Sequence, residues 1–163
     1  MSTPTTSNFE ASDTDFDQGM DRPVLTLNDP PYPGYAYIIS YRDTPEVITY
    51  HNEGVTISNY EGKLAQRWVC HSKDGWLGFT NDPGETTFFM GYHKPQDQTL
   101  VCNVNHHKQN EMFCVRKKAE EGFQILMRSG KDYSALWPVG KHKNGNIAVV
   151  RGSDDWWGFT KTP

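Results

Sequence analysis

One hairpin pattern, written three times, constrains this chain more than any other feature. Trp68-Val69-Cys70 runs into a polar turn and then into Gly75-Trp76-Leu77-Gly78-Phe79-Thr80. Phe113-Cys114-Val115 runs into a second polar turn and then Gly122-Phe123-Gln124-Ile125-Leu126. Ala148-Val149-Val150 leads to Trp156-Trp157-Gly158-Phe159-Thr160, so the first and third copies share Gly-Phe-Thr. Positions 68, 113 and 148 stand 45 and 35 residues apart. A unit of that length cannot bury its apolar face alone and must stack on its copies. Gly34-Tyr35-Ala36-Tyr37-Ile38-Ile39 reads as the same first strand entering unpaired. It is expected beside Trp156–Thr160, as in a closed barrel.

The stretches between the copies agree with strands and turns. From Gly34 onward no segment shows an apolar period of 3.6 residues. Glycine (14) and proline (10) are scattered between short apolar runs, which is how an all-β chain marks its turns. Twelve candidate strands follow: Tyr35–Tyr41, Val47–His51, Val55–Asn59, Gln66–His71, Trp76–Thr80, Thr87–Tyr92, Thr99–Asn103, Glu111–Arg116, Phe123–Arg128, Tyr133–Val139, Asn146–Arg151 and Trp156–Lys161. With 163 residues the expected count is one domain, at 32–163. Residues 1–31 are expected to be a disordered acidic leader and an extended lead-in, too poor in apolar residues to offset chain entropy.

Charge narrows the partners. Residues 1–31 hold six acids and one base, a balance of -5, which leaves +1 for the rest out of a total of -4. A near-neutral body has no field to draw in nucleic acid or an anionic membrane. No run is long and apolar enough for membrane insertion. The N-terminus lacks the basic start and apolar stretch of a secretory signal, which points to the cytoplasm and leaves non-classical release open. Three cysteines (Cys70, Cys102, Cys114), each in an apolar run and without CxxC spacing, read as buried hydrophobes.

Gln66-Arg67-Trp68 is similar to the Gln-x-Trp signature of ricin-B-type β-trefoil lectins, and the repeated hairpins fit that layout across residues 34–162. The matching copies, Glu111-Met112-Phe113 and Asn146-Ile147-Ala148, are degenerate. The resemblance implies an all-β fold, a β-trefoil of twelve short strands in three pseudo-repeats. It also implies a core tryptophan at 68 and a layout resembling small cytosolic fungal lectins with a role in defence.

Sugar recognition needs an aromatic face against the pyranose and directed polar groups for its hydroxyls. The third module offers Asp132, Tyr133, Trp137, Asn144 and Asn146. The first offers Tyr50, His51 and Asn52, with Asn59 and Tyr60, and the second Tyr92, His93, Asn103, Asn105 and His106. In Trp156-Trp157, strand neighbours point to opposite faces, so one ring is expected in the core and one outside. His106-His107 and Cys70-His71 are poor candidates for metal or thiol chemistry for the same reason. No metal, cofactor or phosphate loop is expected. The sequence therefore reads as a non-enzymatic carbohydrate-binding protein that takes glycans or glycoproteins, with a homodimer left open. The rival is a protein-binding trefoil, either an intracellular interaction module or a protease inhibitor, the latter presenting Asn81-Asp82-Pro83-Gly84-Glu85 or the segment from Gly140 to Asn146.

Overall fold

The computed structural model describes residues 30–94, 96–118, 120–142 and 144–163. The leader, up to residue 29, lies outside the described residues.

Among the described residues twelve strands follow one another: β1 (Ala36–Tyr41), β2 (Glu46–His51), β3 (Gly54–Asn59), β4 (Trp68–Lys73), β5 (Trp76–Asn81), β6 (Phe88–Lys94), β7 (Asp97–Val104), β8 (Phe113–Lys118), β9 (Gly122–Ser129), β10 (Ala135–Lys141), β11 (Ile147–Val149) and β12 (Trp157–Thr162). Three short 3₁₀ turns, Leu64–Gln66, Gln109–Glu111 and Lys131–Tyr133, interrupt them. Each strand overlaps one of the apolar runs picked out above, because a run of alternating or continuous apolar residues between turn formers is stable only as a half-buried or buried strand.

All pairings are antiparallel. Ten strands close a ring in the order β1, β4, β5, β8, β9, β10, β11, β7, β3, β2 and back to β1. Two extra strands attach to it, β12 between β1 and β9, and β6 between β5 and β7. The expected neighbourhood of the first and last strands is present as a ladder from Ala36↔Thr162 to Tyr41↔Trp157. The expected β-trefoil is not indicated; the described residues form an all-β closed ten-strand barrel with two additional strands.

The third copy of the hairpin is also misaligned by the sequence reading. Ala148 is buried, but in the three-residue strand β11. The position matching Trp68 and Phe113 is Trp157, at separations of 45 and 44 residues. All three side chains are buried at 1% exposure or less. The indole N–H of Trp68 donates to the Ile48 carbonyl at 2.9 Å, and that of Trp157 donates to the Val139 carbonyl at 3.1 Å. The triplets are therefore Gln66-Arg67-Trp68, Glu111-Met112-Phe113 and Asp155-Trp156-Trp157. Their first residues are all buried polar groups that satisfy a loop: Gln66 Oε1 accepts from Glu61 N (2.8 Å), Glu111 Oε1 from Lys108 N (3.0 Å) and Asp155 Oδ2 from Lys141 N (2.9 Å). Asp155 carries no such signal in the sequence, where it stands beside Asp154 in a polar stretch between two apolar runs. Of the Trp156-Trp157 pair, Trp157 is core and Trp156 half-buried, as alternation requires.

Most of the interior is one cluster in which Tyr37, Trp68, Phe79, Phe113, Phe123, Trp157 and Phe159 meet, and Ile38, Val47 and Tyr60 form a second, smaller one. Phe79 packs edge-on against Phe113 at 5.4 Å between centroids, and Phe123 edge-on against Phe159 at 5.8 Å. Each such ring contributes about 1.5–3 kcal/mol from burial. Among the described residues no helix is long and apolar enough to cross a membrane.

Candidate functional site

An open cleft of about 330 Å³ lies where three loops converge. Tyr50 and His51 end β2, and Asn52 opens the turn to β3. Leu64 and Ala65 come from the first 3₁₀ turn. Asn81 ends β5, and Asp82 and Pro83 begin the connection to β6.

Hydrogen bonds fix these walls relative to one another. Asn81 Nδ2 donates to the carbonyls of Leu64 (3.0 Å) and Arg67 (3.1 Å), tying β5 to the 3₁₀ turn. Gln66 Nε2 donates to Asn59 O (2.9 Å) and reaches Thr49 Oγ1 and Ser58 Oγ at 3.3 Å, tying that turn to β2 and β3. The turn after β2 is held from behind by Cys102 N, which donates to Glu53 O at 2.8 Å. Asp82 Oδ1 accepts from Thr87 Oγ1 at 2.7 Å, which restrains the connecting loop. Such a site is formed before any ligand arrives, so little ordering entropy opposes binding.

The lining is chemically mixed. Tyr50 is a half-buried ring packed on the core cluster, and Leu64 is 74% exposed at the rim. His51, Asn52 and Asp82 are exposed polar side chains. His51 Nε2 and Asn52 Nδ2 lie 3.3 Å apart. Asn81, by contrast, is only 2% exposed. Of the lining residues, the sequence reading names Tyr50, His51 and Asn52 as candidates. Leu64 and Ala65 carry no sugar-binding pattern, and Asn81–Pro83 follow a later strand that the Asn81 bonds tie to the 3₁₀ turn. The one available signal was the polar string Asn81-Asp82-Pro83, read as a protruding loop.

The remaining candidates are spread out. Tyr92 is buried, with its hydroxyl donating to Arg128 O at 2.6 Å, so it is a core residue. His93 and Asn105 are exposed at opposite ends of the β6–β7 hairpin, and neither lines the cleft. Asp132 and Tyr133 sit in the third 3₁₀ turn before β10, whereas Asn144 and Asn146 lie beyond its far end. The seven residues of β10 separate the two groups, roughly 20 Å of strand. Trp137 is half-buried in β10, with the Arg151 guanidinium 5.2 Å above its ring. Tyr133 donates its hydroxyl to Asn110 Oδ1 at 2.8 Å.

Burial pushes the thiols of Cys70 and Cys102 up to about 12, so neither is a thiolate at neutral pH. Burial also lowers the pKa values of His71 and His107, whose rings flank Phe89 at 5.3 and 5.0 Å.

No family model matches the chain, and no curated protein matches it. Among solved structures it is similar to the GlcNAcα1-4Gal releasing endo-β-galactosidase from Clostridium perfringens, with a TM-score of 0.64 and 13% identity. The match covers 80% of this chain and 33% of that one, so the chain spans about a third of that structure's length. At this identity the likeness is one of fold. That neighbour is a glycosidase and not a ricin-B-type lectin, which overturns the resemblance read from Gln66-Arg67-Trp68. It is also an enzyme, so the expectation of a non-enzymatic chain is withdrawn.

Proposed function

We propose that this chain binds carbohydrate, in the manner of a lectin, in the cleft between the β2–β3 turn, the first 3₁₀ turn and the β5–β6 connection. The observation that carries the reading is the lining itself: one aromatic ring, Tyr50, two apolar rims, Leu64 and Pro83, and the hydrogen-bonding side chains of His51, Asn52, Asn81 and Asp82. A sugar ring has the matching character, with apolar C–H patches and a fringe of hydroxyls. The cleft volume of about 330 Å³ falls at the small end of ligand sites, roughly 300–1,000 Å³. That suits a saccharide of one or two rings. A solved neighbour of the same fold that releases GlcNAcα1-4Gal lends support and supplies the first probe.

The test is a glycan array on the folded chain, followed by titration of GlcNAcα1-4Gal and of the best array hit. Asp82→Ala, at an exposed position, is expected to weaken binding by roughly tenfold, the loss of a charge-assisted bond. Circular dichroism should stay unchanged, and the melting temperature should fall by at most about 5 °C through the lost Thr87 hydrogen bond. A blank array with folded protein, or full binding by both Asp82→Ala and Tyr50→Ala, would overturn the assignment.

A further inference from the structure

We propose that the cleft selects an uncharged glycan and that the side-chain oxygen of Asn81 accepts one of its hydroxyl hydrogens, an inference that rests on the carbohydrate reading above. Asn81 is 2% exposed and belongs to the cleft lining. Both hydrogens of its amide group are used, one toward Leu64 O at 3.0 Å and one toward Arg67 O at 3.1 Å. The orientation of the amide is thereby fixed, since a flip would set its oxygen against two carbonyl oxygens. Oδ1 is left buried with no hydrogen-bond partner. A buried acceptor without a donor is costly, and proteins keep such groups rarely and for cause. A ligand hydroxyl that meets this oxygen, through a small side-chain shift of the wall around it, recovers the loss. A fluorine or a ring hydrogen at the same place cannot.

The charge of the lining sets the class of sugar. Asp82 is the only carboxylate among the lining residues, and neither lysine nor arginine is among them. Sialic acids, uronates and sulfated sugars are held by cationic donors, arginine above all. Here such a ligand would face Asp82 with neither lysine nor arginine in the lining to pair it.

The experiment prints GlcNAcα1-4Gal and other uncharged oligosaccharides beside their sialylated, sulfated or uronate counterparts. Uncharged members should bind at least roughly tenfold more tightly, and Asp82→Asn should narrow the gap. For the tightest uncharged hit, each hydroxyl is replaced in turn by hydrogen and by fluorine. One hydroxyl should lose roughly tenfold in affinity on either replacement with the native chain, and much less with Asn81→Ala. If Asn81→Ala does not fold, the side-chain carbonyl carbon resonance of Asn81 in the native chain takes its place. It should move with the hydroxylated ligand and hold still with the fluorinated one. Equal binding of charged and uncharged sugars, no hydroxyl coupled to Asn81, or a still resonance would overturn the inference while leaving the carbohydrate reading intact. A blank on every sugar would overturn both.

Discussion

At single positions the chain places chemistry by burial. Gln66, Glu111 and Asp155 occupy matching buried places with three different acid–base characters. For Asp155, burial alone would raise the pKa. The Lys141 N–H, then the Arg42 guanidinium at 2.8 Å and the Tyr41 hydroxyl at 2.9 Å, outweigh it and hold the carboxyl below its ordinary range. For Glu111 burial prevails over Lys108 N and His106, and the pKa is raised. The two act oppositely on stability. The Asp155 contribution is present above the ordinary aspartate value of about 3.9 and is lost as pH falls through the folded value. The Glu111 contribution is present below about 4.3 and is lost as pH rises through its own folded value. Urea unfolding across pH should therefore show Asp155→Asn weaker at neutral pH and flatter in acid. Glu111→Gln, which imports the residue found at 66, should gain relative to the native chain as pH rises. A second position concerns backbone. The turn between β2 and β3 places Asn52 at φ 49° and Glu53 at φ 67°. The β4–β5 turn meets the same demand with Asp74-Gly75, the pair such turns favour. Glu53→Gly should raise stability by about 0.5–1 kcal/mol, read from the urea midpoint.

Among strands and turns, the sequence reported where elements lie better than how they meet. Alternation and glycine spacing placed all twelve strands, because both depend on local physics. The partner of each edge depends on twist, closure and loop length, and short apolar runs carry little of that. Ala148 and Trp157 are both buried strand residues, and only the indole bonds from Trp68 to Ile48 and from Trp157 to Val139 show which of them repeats the first. The cleft was half legible for a like reason. Tyr50-His51-Asn52 is contiguous, whereas Asn81 joins it through carbonyls of the 3₁₀ turn that no side-chain pattern announces. Trp68→Phe tests the indole bond. It keeps the ring packing but strands the Ile48 carbonyl, and should cost about 1–3 kcal/mol. Gly122→Ala tests close approach, since its Cβ would collide with the Trp156 ring and come within 2.8 Å of the Trp157 carbonyl. That change should cost about 1–3 kcal/mol by overpacking.

For the molecule as a whole, one aromatic core spanning nearly every strand should open as a unit. Its cysteines report on this. Cys70 and Cys102 are fully buried, whereas Cys114 is half-buried in β8. Mass spectrometry after alkylation at neutral pH should show Cys114 modified first. Cys70 and Cys102 should follow together at a rate that climbs with urea in step with global unfolding. Rapid modification of Cys70 alone would reveal local opening at β4. The ladder joining β1 to β12 carries a consequence for biosynthesis. All five of residues 36–40 end up buried, yet their full-length partner, β12, is made only after the ten strands between them. Until that strand arrives, a sticky edge stands open, and the closure it awaits is of the most sequence-distant and therefore slowest kind. Translation speed and chaperone supply should thus govern the yield of this protein more than its final stability does.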